Sequence, residues 1–200
     1  MTESGFFSVL ISSVLLFGAV SLGTASCRAD VVTDFSSKYS GDLRWRIVDD
    51  RVMGGRSQGR FAVTAEETLL FQGNLSLENN GGFSSVRSAE GLYDFSASQG
   101  IVLRVRGDGR TYQLRLNTTA RFRSWDVSFS ASFKTEKDEW IDVWVPFDQF
   151  KAGFRGMALP NVTFDPSSVR RFGILLGDKN PGAFRLEIDS IRTYVTKGES

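Results

Sequence analysis

Carboxylates are the side chains that could perform acid–base chemistry in this sequence, because the chain contains no histidine. A chain without histidine has no Ser-His-Asp or Cys-His catalytic pair and no imidazole metal ligand. Two carboxylates could still act as general acid and base, as in glycoside cleavage. The candidates by residue type are Asp49, Asp50, Glu78, Asp108, Glu187 and Asp189. No two of them have a spacing that marks a catalytic pair, so we predict that the protein is not an enzyme.

Composition argues against metals and nucleic acid. Cys27 is the single cysteine, so the chain forms no internal disulfide and no multi-cysteine zinc site. The acidic residues show no EF-hand-like spacing, and we expect neither a metal nor a cofactor. Lys and Arg number 24 against 23 Asp and Glu, a formal net charge of +1. Such a balance gives no general attraction to nucleic acid, and we expect no nucleic-acid partner.

A polar, glycine-rich segment from Trp45 to Ser57 supplies the first candidate binding residues. Its glycine pair permits a sharp turn or the close approach of another chain. An aspartate ahead of that turn can accept backbone N–H groups across it. The segment fits either a simple connection between two strands or a contact surface. The candidates here are Asp50, Met53, Gly54, Gly55 and Ser57.

A second segment combines two asparagines, two glycines and an arginine. Adjacent asparagine amides could recognise a sugar or a peptide edge, because each has donors and an acceptor. Arg87 adds a planar fork suited to a carboxylate. The other interpretation is a glycine loop in which Arg87 pairs internally, with Asp50 or Glu78. The candidates are Glu78, Asn79, Asn80, Gly81, Gly82, Phe83 and Arg87.

A third segment, from residue 106 to 110, has the sequence Arg-Gly-Asp-Gly-Arg. A hairpin turn accounts for its glycines and its aspartate, since such turns need residues that tolerate positive φ. The Arg-Gly-Asp tripeptide is too short to indicate cell adhesion. Arg106, Asp108 and Arg110 remain candidate binding residues.

The elements that must position these segments are β-strands, because apolar residues recur with period two. Alternation is clear at residues 101–106, 113–116, 125–133, 141–145 and 184–189. Turn signals separate about nine or ten short strands, which predicts an all-β, antiparallel two-sheet sandwich of jelly-roll type. Only short helical turns are expected, at residues 148–151 and 169–171.

The N-terminus contains a strongly apolar run, residues 9–20, followed by small residues. This pattern favours a secretory signal or a membrane anchor, and Thr24 to Cys27 resembles a lipobox. We therefore expect an exported protein, periplasmic, secreted or membrane-anchored, with Cys27 a lipoprotein candidate. The expected organisation is a signal or anchor (1–29), a polar lead-in with a first strand (30–42), one sandwich domain (43–196) and a tail (197–200).

Taken together, the three segments resemble the complex I intermediate-associated protein 30 family over residues 35–195. The matching residues are Trp45, Asp50-x-Val52-Met53-Gly54-Gly55-x-Ser57, Phe71-x-Gly73, Glu78-Asn79-Asn80-Gly81-Gly82-Phe83-x-Ser85-Val86-Arg87 and Arg106-Gly107-Asp108-Gly109-Arg110-x-Tyr112. The resemblance implies a galactose-binding-like β-sandwich without known catalysis. It also implies a role in assembling respiratory complex I, since the mitochondrial members associate with membrane-arm intermediates. The apolar N-terminus differs from the transit peptide of those members.

Two functions are compatible with these observations. The resemblance favours a protein-binding module that serves a membrane complex or its assembly intermediate. The alternative is an exported carbohydrate-binding module, because related sandwiches bind sugars and an exposed tryptophan can stack on a sugar ring. The tryptophans available for such a platform are Trp45, Trp125, Trp140 and Trp144.

Overall fold

Thirteen β-strands account for more than half of the residues in a computed structural model that describes residues 27–36 and 44–196. They confirm the expected all-β class, with more strands than the turn signals indicated because several are only two to four residues long. The strands are β1 (Cys27–Thr33), β2 (Arg46–Asp49), β3 (Gln58–Val63), β4 (Leu69–Leu75), β5 (Ser84–Arg87), β6 (Gly100–Arg106), β7 (Thr111–Phe122), β8 (Trp125–Lys134), β9 (Trp140–Pro146), β10 (Lys151–Phe154), β11 (Met157–Ala158), β12 (Arg171–Leu176) and β13 (Gly182–Thr196).

The strands form two antiparallel sheets. One has six strands, in the order β3-β4-β13-β6-β9, with β1 also paired to β13. The other has seven, in the order β11-β10-β8-β7-β12-β5-β2. Some neighbours in the second sheet are consecutive strands, such as β7 and β8, whereas others are distant in sequence, since β12 lies between β5 and β7.

β13 is the longest strand and organises the six-stranded sheet. Its first half pairs with β4 and its second half with β1, so these two strands follow each other along one edge. Its other edge pairs with β6 through a register shift between Ile188 and Ser190. One strand thus holds three neighbours in register.

The core lies between the two sheets and is filled by the inward faces of alternating strands. Val127, Phe129, Ala131 and Phe133 of β8 are buried, as the period-two pattern predicts. Trp125 at the start of the same strand is exposed, because it lies at the end of the hairpin, where it packs on the ring of Phe154. A sandwich with both inner faces apolar needs no disulfide to bury a substantial core.

Helical structure in the described part of the chain is limited to short 3-10 turns. They occupy Asp50–Met53, Glu78–Asn80, Phe147–Gln149 and Pro166–Ser168. The turn expected at residues 148–151 begins one residue earlier and ends two residues earlier, at Phe147–Gln149. Residues 169–171 lead into β12 and are not helical. Within residues 27–36 and 44–196, no helix has the length and apolarity to cross a membrane.

The apolar run at residues 9–20 lies outside the described residues. The first described strand, β1, begins at Cys27 and pairs with β13. Residues 27–29, which the sequence pattern assigned to the signal or anchor, therefore belong to the six-stranded sheet. The expected tail, residues 197–200, also lies outside the described part of the chain.

Candidate functional site

The three glycine-rich segments lie at one end of the sandwich, here called the loop end. They connect β2 to β3, β4 to β5 and β6 to β7. Registers bring these connections together, since Asp49 at the end of β2 lies opposite Ser84 at the start of β5. In the other sheet, Leu75 at the end of β4 lies opposite Gly182 at the start of β13. The fold thus brings together segments that are up to 60 residues apart in sequence.

Asp50 is the centre of the loop end. Its carboxylate is fully buried and accepts hydrogen bonds from the backbone N–H (2.9 Å) and the hydroxyl (2.6 Å) of Ser57. It also accepts bonds from the N–H groups of Gly82 (2.6 Å) and Phe83 (3.3 Å). Burial alone would raise the pKa of Asp50, but these bonds together hold it below its ordinary value. A single carboxylate therefore fastens the first glycine-rich segment to the second.

The glycines of both motifs allow the backbone to approach this carboxylate. A Cβ at Gly55 would lie 2.4 Å from Cγ of Asp50, and one at Gly81 would lie 2.5 Å from its Oδ2. Gly54 and Gly82 have positive φ angles of 91° and 125°, which side chains rarely adopt. The glycine pairs therefore serve the packing of the two loops around Asp50.

The asparagine pair has a similar structural role. Asn79 and Asn80 have φ angles of 56° and 57°, a left-handed conformation that asparagine tolerates better than most residues. The Asn79 side-chain amide donates to the Gly54 carbonyl at 3.1 Å. Glu78 is exposed and forms an ion pair with Arg56 at 2.9 Å. These two contacts also connect the β4–β5 loop to the β2–β3 loop, in addition to the hydrogen bonds of Asp50.

Asp49 and Glu187 also accept hydrogen bonds inside the protein. Asp49 accepts from the Gly59 N–H at 2.9 Å and the Ser84 hydroxyl at 2.6 Å, and so joins the two sheets. Glu187 accepts from Thr68 at 2.7 Å and Arg106 at 2.8 Å. Burial would raise the pKa of Glu187, but these partners hold it below its ordinary value.

The third segment is fastened by its own charged residues. Asp108 accepts from the hydroxyl of Tyr112 at 3.1 Å and from the Arg185 N–H at 2.8 Å. Burial raises the pKa of Tyr112, and the adjacent Asp108 raises it further. Arg110 forms a two-bond pair with Asp178, at 2.9 and 2.7 Å. The Arg-Gly-Asp tripeptide is thus part of a braced turn.

Contact between the third segment and the other two runs through the β12–β13 connection. A Cβ at Gly177 would lie 3.5 Å from the Gly82 carbonyl oxygen, and Asp178, the next residue, binds Arg110. The β12–β13 connection therefore lies next to the second segment and bonds to the third.

Arg87 differs from the sequence expectation, because it bonds neither to Asp50 nor to Glu78. It lies on the solvent face of β5, and its Nε donates to the Ser85 hydroxyl at 3.2 Å. The physical reason is strand alternation, which directs Arg87 to the outer face of the sheet while Asp50 lies in the loop beyond it. Arg87 therefore belongs to a second feature, which begins beside the loop end.

That feature is a groove of about 870 Å³ on the solvent face of the seven-stranded sheet. Its floor is formed by β5, β12 and β7, and its polar lining includes Ser85, Arg87, Gln113, Arg115, Asn117 and Arg171. Val52, Met53 and Phe83 of the loop end border it on one side. The groove and the loop end therefore form one continuous surface.

Two apolar side chains project from this surface into solvent. Val52 is 74% exposed and Met53 is 68% exposed, both in the 3-10 turn that begins at the buried Asp50. Leu77 in the neighbouring loop is also exposed. Adjacent exposed apolar side chains that form a patch are a candidate protein-interaction surface.

The tryptophans do not form a platform in the groove. Trp125, Trp140 and Trp144 occupy three different surroundings: Trp125 packs on Phe154, Trp140 under Arg106, and Trp144 against Tyr194. Trp45 packs near the ring of Phe35. Within residues 27–36 and 44–196, no group of three or more potential metal-binding side chains occurs.

Sequence reasoning missed Arg115, Arg171 and Asp178. The first two occupy outward positions of strands, and the alternation in β7 was a signal that Arg115 faces solvent. The sequence held no signal that β5, β12 and β7 are neighbours. Asp178 lies in a turn and carried no motif.

Comparison with known proteins identifies sequence relatives. A sequence model of the complex I intermediate-associated protein 30 family matches residues 33–188. The mitochondrial complex I intermediate-associated protein 30 of Mus musculus is 29% identical over 189 residues, 84% of this chain. The Drosophila melanogaster protein of that name is 27% identical over 183 residues, 81% of this chain. The chain spans 56% of the length of the mouse protein and 62% of the fly protein.

These relatives correct the expected localisation. Both are named mitochondrial proteins, so the prediction of an exported, periplasmic, secreted or membrane-anchored protein is wrong. The prediction relied on an apolar run followed by small residues, and such a run indicates affinity for a membrane without specifying which one.

Solved structures share the fold at low sequence identity. A family 11 carbohydrate-binding module of a Clostridium thermocellum cellulosomal cellulase superposes with a TM-score of 0.64 at 13% identity, covering 88% of this chain and 99% of that module. An agarase superposes with a TM-score of 0.55 at 13% identity, covering 86% of this chain and 25% of that enzyme. At this level of identity, the likeness concerns the galactose-binding-like sandwich alone.

Proposed function

This chain belongs to the complex I intermediate-associated protein 30 family, and from this premise we propose that it is a non-catalytic, protein-binding module. Its partner is an assembly intermediate of respiratory complex I, which is a membrane complex. The support is that the curated relatives are named for association with a complex I intermediate. The chain matches those relatives over most of its own length but only part of theirs, so the partner is part of the proposal.

The observation that carries the proposal is the exposure of Val52 and Met53 on a rigidly held loop. Exposed apolar side chains gain free energy when a partner removes them from water. A methionine adapts to irregular partner surfaces because its side chain is unbranched and flexible. Because Asp50 already fixes the loop, binding would cost little additional conformational entropy.

The engagement of the carboxylates supports a non-catalytic role. Asp49, Asp50 and Asp108 each accept hydrogen bonds from backbone N–H groups that hold loops or sheets together. A general acid or base must instead reach a substrate proton. The structure gives these three residues bracing roles at the loop end.

The test is crosslinked affinity capture from detergent-solubilised mitochondrial membranes. We expect the wild-type chain to retain subunits of a complex I intermediate. The double variant Val52→Ser/Met53→Ser should retain at least about tenfold less, because hot-spot side chains contribute 2 kcal/mol or more and tenfold corresponds to about 1.4 kcal/mol. The two exposed side chains contribute little to the core, so the variant should fold as the wild type does.

Leu92→Ser is the matched control. Leu92 is as exposed as Val52, but it lies near the start of β12, where Gly91 and Tyr93 bond to Arg170 and Val169. This variant should capture the partner as well as the wild type. Equal capture by all three proteins would refute the loop end as the contact, and capture of no complex I subunit would refute the assembly role.

Carbohydrate binding, the alternative from the sequence, has weaker support. The likeness to carbohydrate-binding modules concerns the fold alone. Aromatic rings that could stack on a sugar are present at the groove, since Phe83 and Phe154 line it, but no tryptophan does. Protein binding therefore remains the better-supported function.

A further inference from the structure

A row of basic residues crosses the solvent face of the seven-stranded sheet in register. Arg46 of β2 lies opposite Arg87 of β5, and Gly173 of β12 lies opposite both Arg87 and Arg115 of β7. Beyond Arg115, the row continues through Ser130 of β8 to Lys151 of β10. Residues directly opposite in antiparallel strands point to the same face. The row therefore presents four positive charges and no carboxylate.

The two central arginines have only neutral hydrogen-bond partners among the described residues. Arg87 donates to the Ser85 hydroxyl, and Arg115 donates through Nε and Nη2 to Oε1 of Gln113 at 3.2 and 3.0 Å. Burial, together with repulsion by Arg115, Arg171 and Arg46, lowers the pKa of Arg87 to about 10. Like charges placed opposite each other destabilise a sheet. An anion in the groove would remove this cost.

Gly173 leaves the floor open between Arg87 and Arg115. A Cβ at Gly173 would lie 3.4 Å from Cγ of Arg87 and 3.8 Å from Cβ of Arg115, so the space above the glycine is bordered by the two arginine stems. The two arginines are two strands apart, roughly 10 Å between backbones, a span that long side chains can bridge to one ligand. The space above Gly173 is therefore where an anion could bond to both guanidinium groups.

The lining indicates the chemistry of that anion. Arginine forms paired hydrogen bonds to phosphate and carboxylate oxygens. A phosphate has three acceptor oxygens and can bond to more than one guanidinium at once, whereas one arginine fork satisfies a carboxylate. Ser85, Asn117 and Ser128 add neutral groups beside the row that can bond to ester or hydroxyl oxygens.

We propose that the groove binds a small phosphate-bearing anion, whose phosphate is held by Arg87 and Arg115 over Gly173. Arg171, on the same face of β12, supplies a third guanidinium, although Glu90 already pairs with it at 2.6 Å. Asp126 is a carboxylate in the groove lining; it lies 3.9 Å from Arg171 and also pairs with Arg121. The ligand is either a free phosphoester or the headgroup of a phospholipid, which offer the same chemistry. This site is independent of the proposed partner protein and requires only the chain itself.

The test is isothermal titration of the full-length chain with inorganic pyrophosphate, at low and moderate salt. The variant Arg87→Gln/Arg115→Gln should bind at least tenfold more weakly than the wild type. Arg60→Gln/Arg104→Gln removes the same charge from the outer face of the six-stranded sheet and should bind as the wild type does. The groove variant should also melt at a higher temperature than the wild type without ligand, because it removes repulsion.

Vesicle sedimentation identifies the source of the phosphate. Binding to phosphatidylglycerol vesicles that pyrophosphate competes away, with none to phosphatidylcholine vesicles, assigns the site to a lipid headgroup. Pyrophosphate binding without vesicle binding assigns it to a soluble phosphoester. The proposal is overturned if pyrophosphate does not bind, or if it binds equally to the groove variant. Binding only of a neutral glucan tetrasaccharide or only of polyglutamate would also overturn it.

Because the titration uses the isolated chain, its result does not depend on capture of a complex I intermediate. Loss of capture in Val52→Ser/Met53→Ser with intact pyrophosphate binding would separate the two surfaces. The reverse pattern, loss of pyrophosphate binding in Arg87→Gln/Arg115→Gln with intact capture, would do the same.

Discussion

The carboxylate of Asp50 is buried, and burial of a charge is favourable only when hydrogen bonds replace the lost water. Ser57, Gly82 and Phe83 supply that replacement, and together they lower the pKa of Asp50. The loops are therefore held by a charged acceptor, whose bonds are stronger than those between neutral groups. Asp50, which the sequence indicates as a candidate binding residue, instead holds together the two loops that carry the exposed candidate residues.

Replacing Asp50 with asparagine should destabilise the protein while preserving the size of the side chain. The variant Asp50→Asn replaces one acceptor oxygen with an NH₂ group, which would face the N–H and O–H donors of Ser57, Gly82 and Phe83. We expect the free energy of unfolding to fall by about 3 kcal/mol, because several buried donors lose a charged acceptor. Urea denaturation at neutral pH measures the change.

The same variant should alter the pH dependence of stability. The pKa of Asp50 in the folded protein is lower than 3.8, its ordinary value, so its contribution is present above that pH and is lost as the pH falls through the lowered pKa. Wild-type stability should fall more steeply in acid than that of Asp50→Asn. Asp94→Asn, at an exposed turn aspartate bonded to Ser96, is the control and should lose much less stability. Equal losses in both variants would contradict a bracing role.

At the scale of elements, the turn from Glu78 to Asn80 depends on its backbone conformation. Both asparagines adopt left-handed φ angles, and for residues with a Cβ this conformation costs roughly 1–2 kcal/mol unless the side chain compensates. The loop therefore needs residue types that accept this geometry, and the amide of Asn79 adds one bond to Gly54.

Two substitutions at Asn80 distinguish the effect of its backbone conformation on stability from the effect of its side-chain contacts. Asn80→Ala should lower the free energy of unfolding by about 1 kcal/mol, whereas Asn80→Gly should change it little, because glycine adopts positive φ without strain. Thermal denaturation of both variants provides the measurement. A similar loss in both would show that the Asn80 side chain, and not its backbone angle, matters.

The elements themselves were predictable, because period-two alternation marks strands in any context. Gln113, Arg115 and Asn117 alternate with buried leucines, and the structure places them on the outer face, as the pattern requires. The pairing of strands was not predictable. Arg87 and Gly173 are opposite each other although 86 residues separate them, and alternation carries no information on which strands pair.

For the candidate site, the sequence indicated which residues are structurally important better than it indicated where their side chains point. The motif correctly drew attention to Asp50 and to the glycines, whose close packing requires the absence of a Cβ. It also led to the expectation that Arg87 pairs with Asp50 or Glu78, which is wrong because strand alternation directs Arg87 to the outer face of the sheet, where it bonds to Ser85. The proposed contacts of Val52 and Met53 depend on exposure, which a motif does not encode.

At the scale of the whole molecule, residues near β1 help to close the sandwich. Phe35 is only 2% exposed, and its ring lies 5.9 Å from that of Trp45. It joins the core from a segment that precedes the family's glycine-rich motifs. The stability of the domain thus depends on residues that the sequence pattern assigned to a polar lead-in.

The variant Phe35→Ala should destabilise the protein by about 3–5 kcal/mol, the usual cost of removing a buried phenylalanine. Phe61→Ala is the control, since Phe61 on β3 is more than one third exposed and should cost much less. Chemical denaturation compares the two variants with the wild type. If Phe35→Ala costs no more than Phe61→Ala, the N-terminal segment does not contribute to the core.

The position of β13 constrains how the chain can fold. β13 is the last strand in chain order among those described, yet it pairs with β1, β4 and β6. Until β13 arrives, these three strands present unpaired edges, which are prone to pairing with other chains. Contacts between the first and last strands are also slow to form, because the intervening loop must close first. A growing chain is therefore most vulnerable to aggregation just before its final strand becomes available.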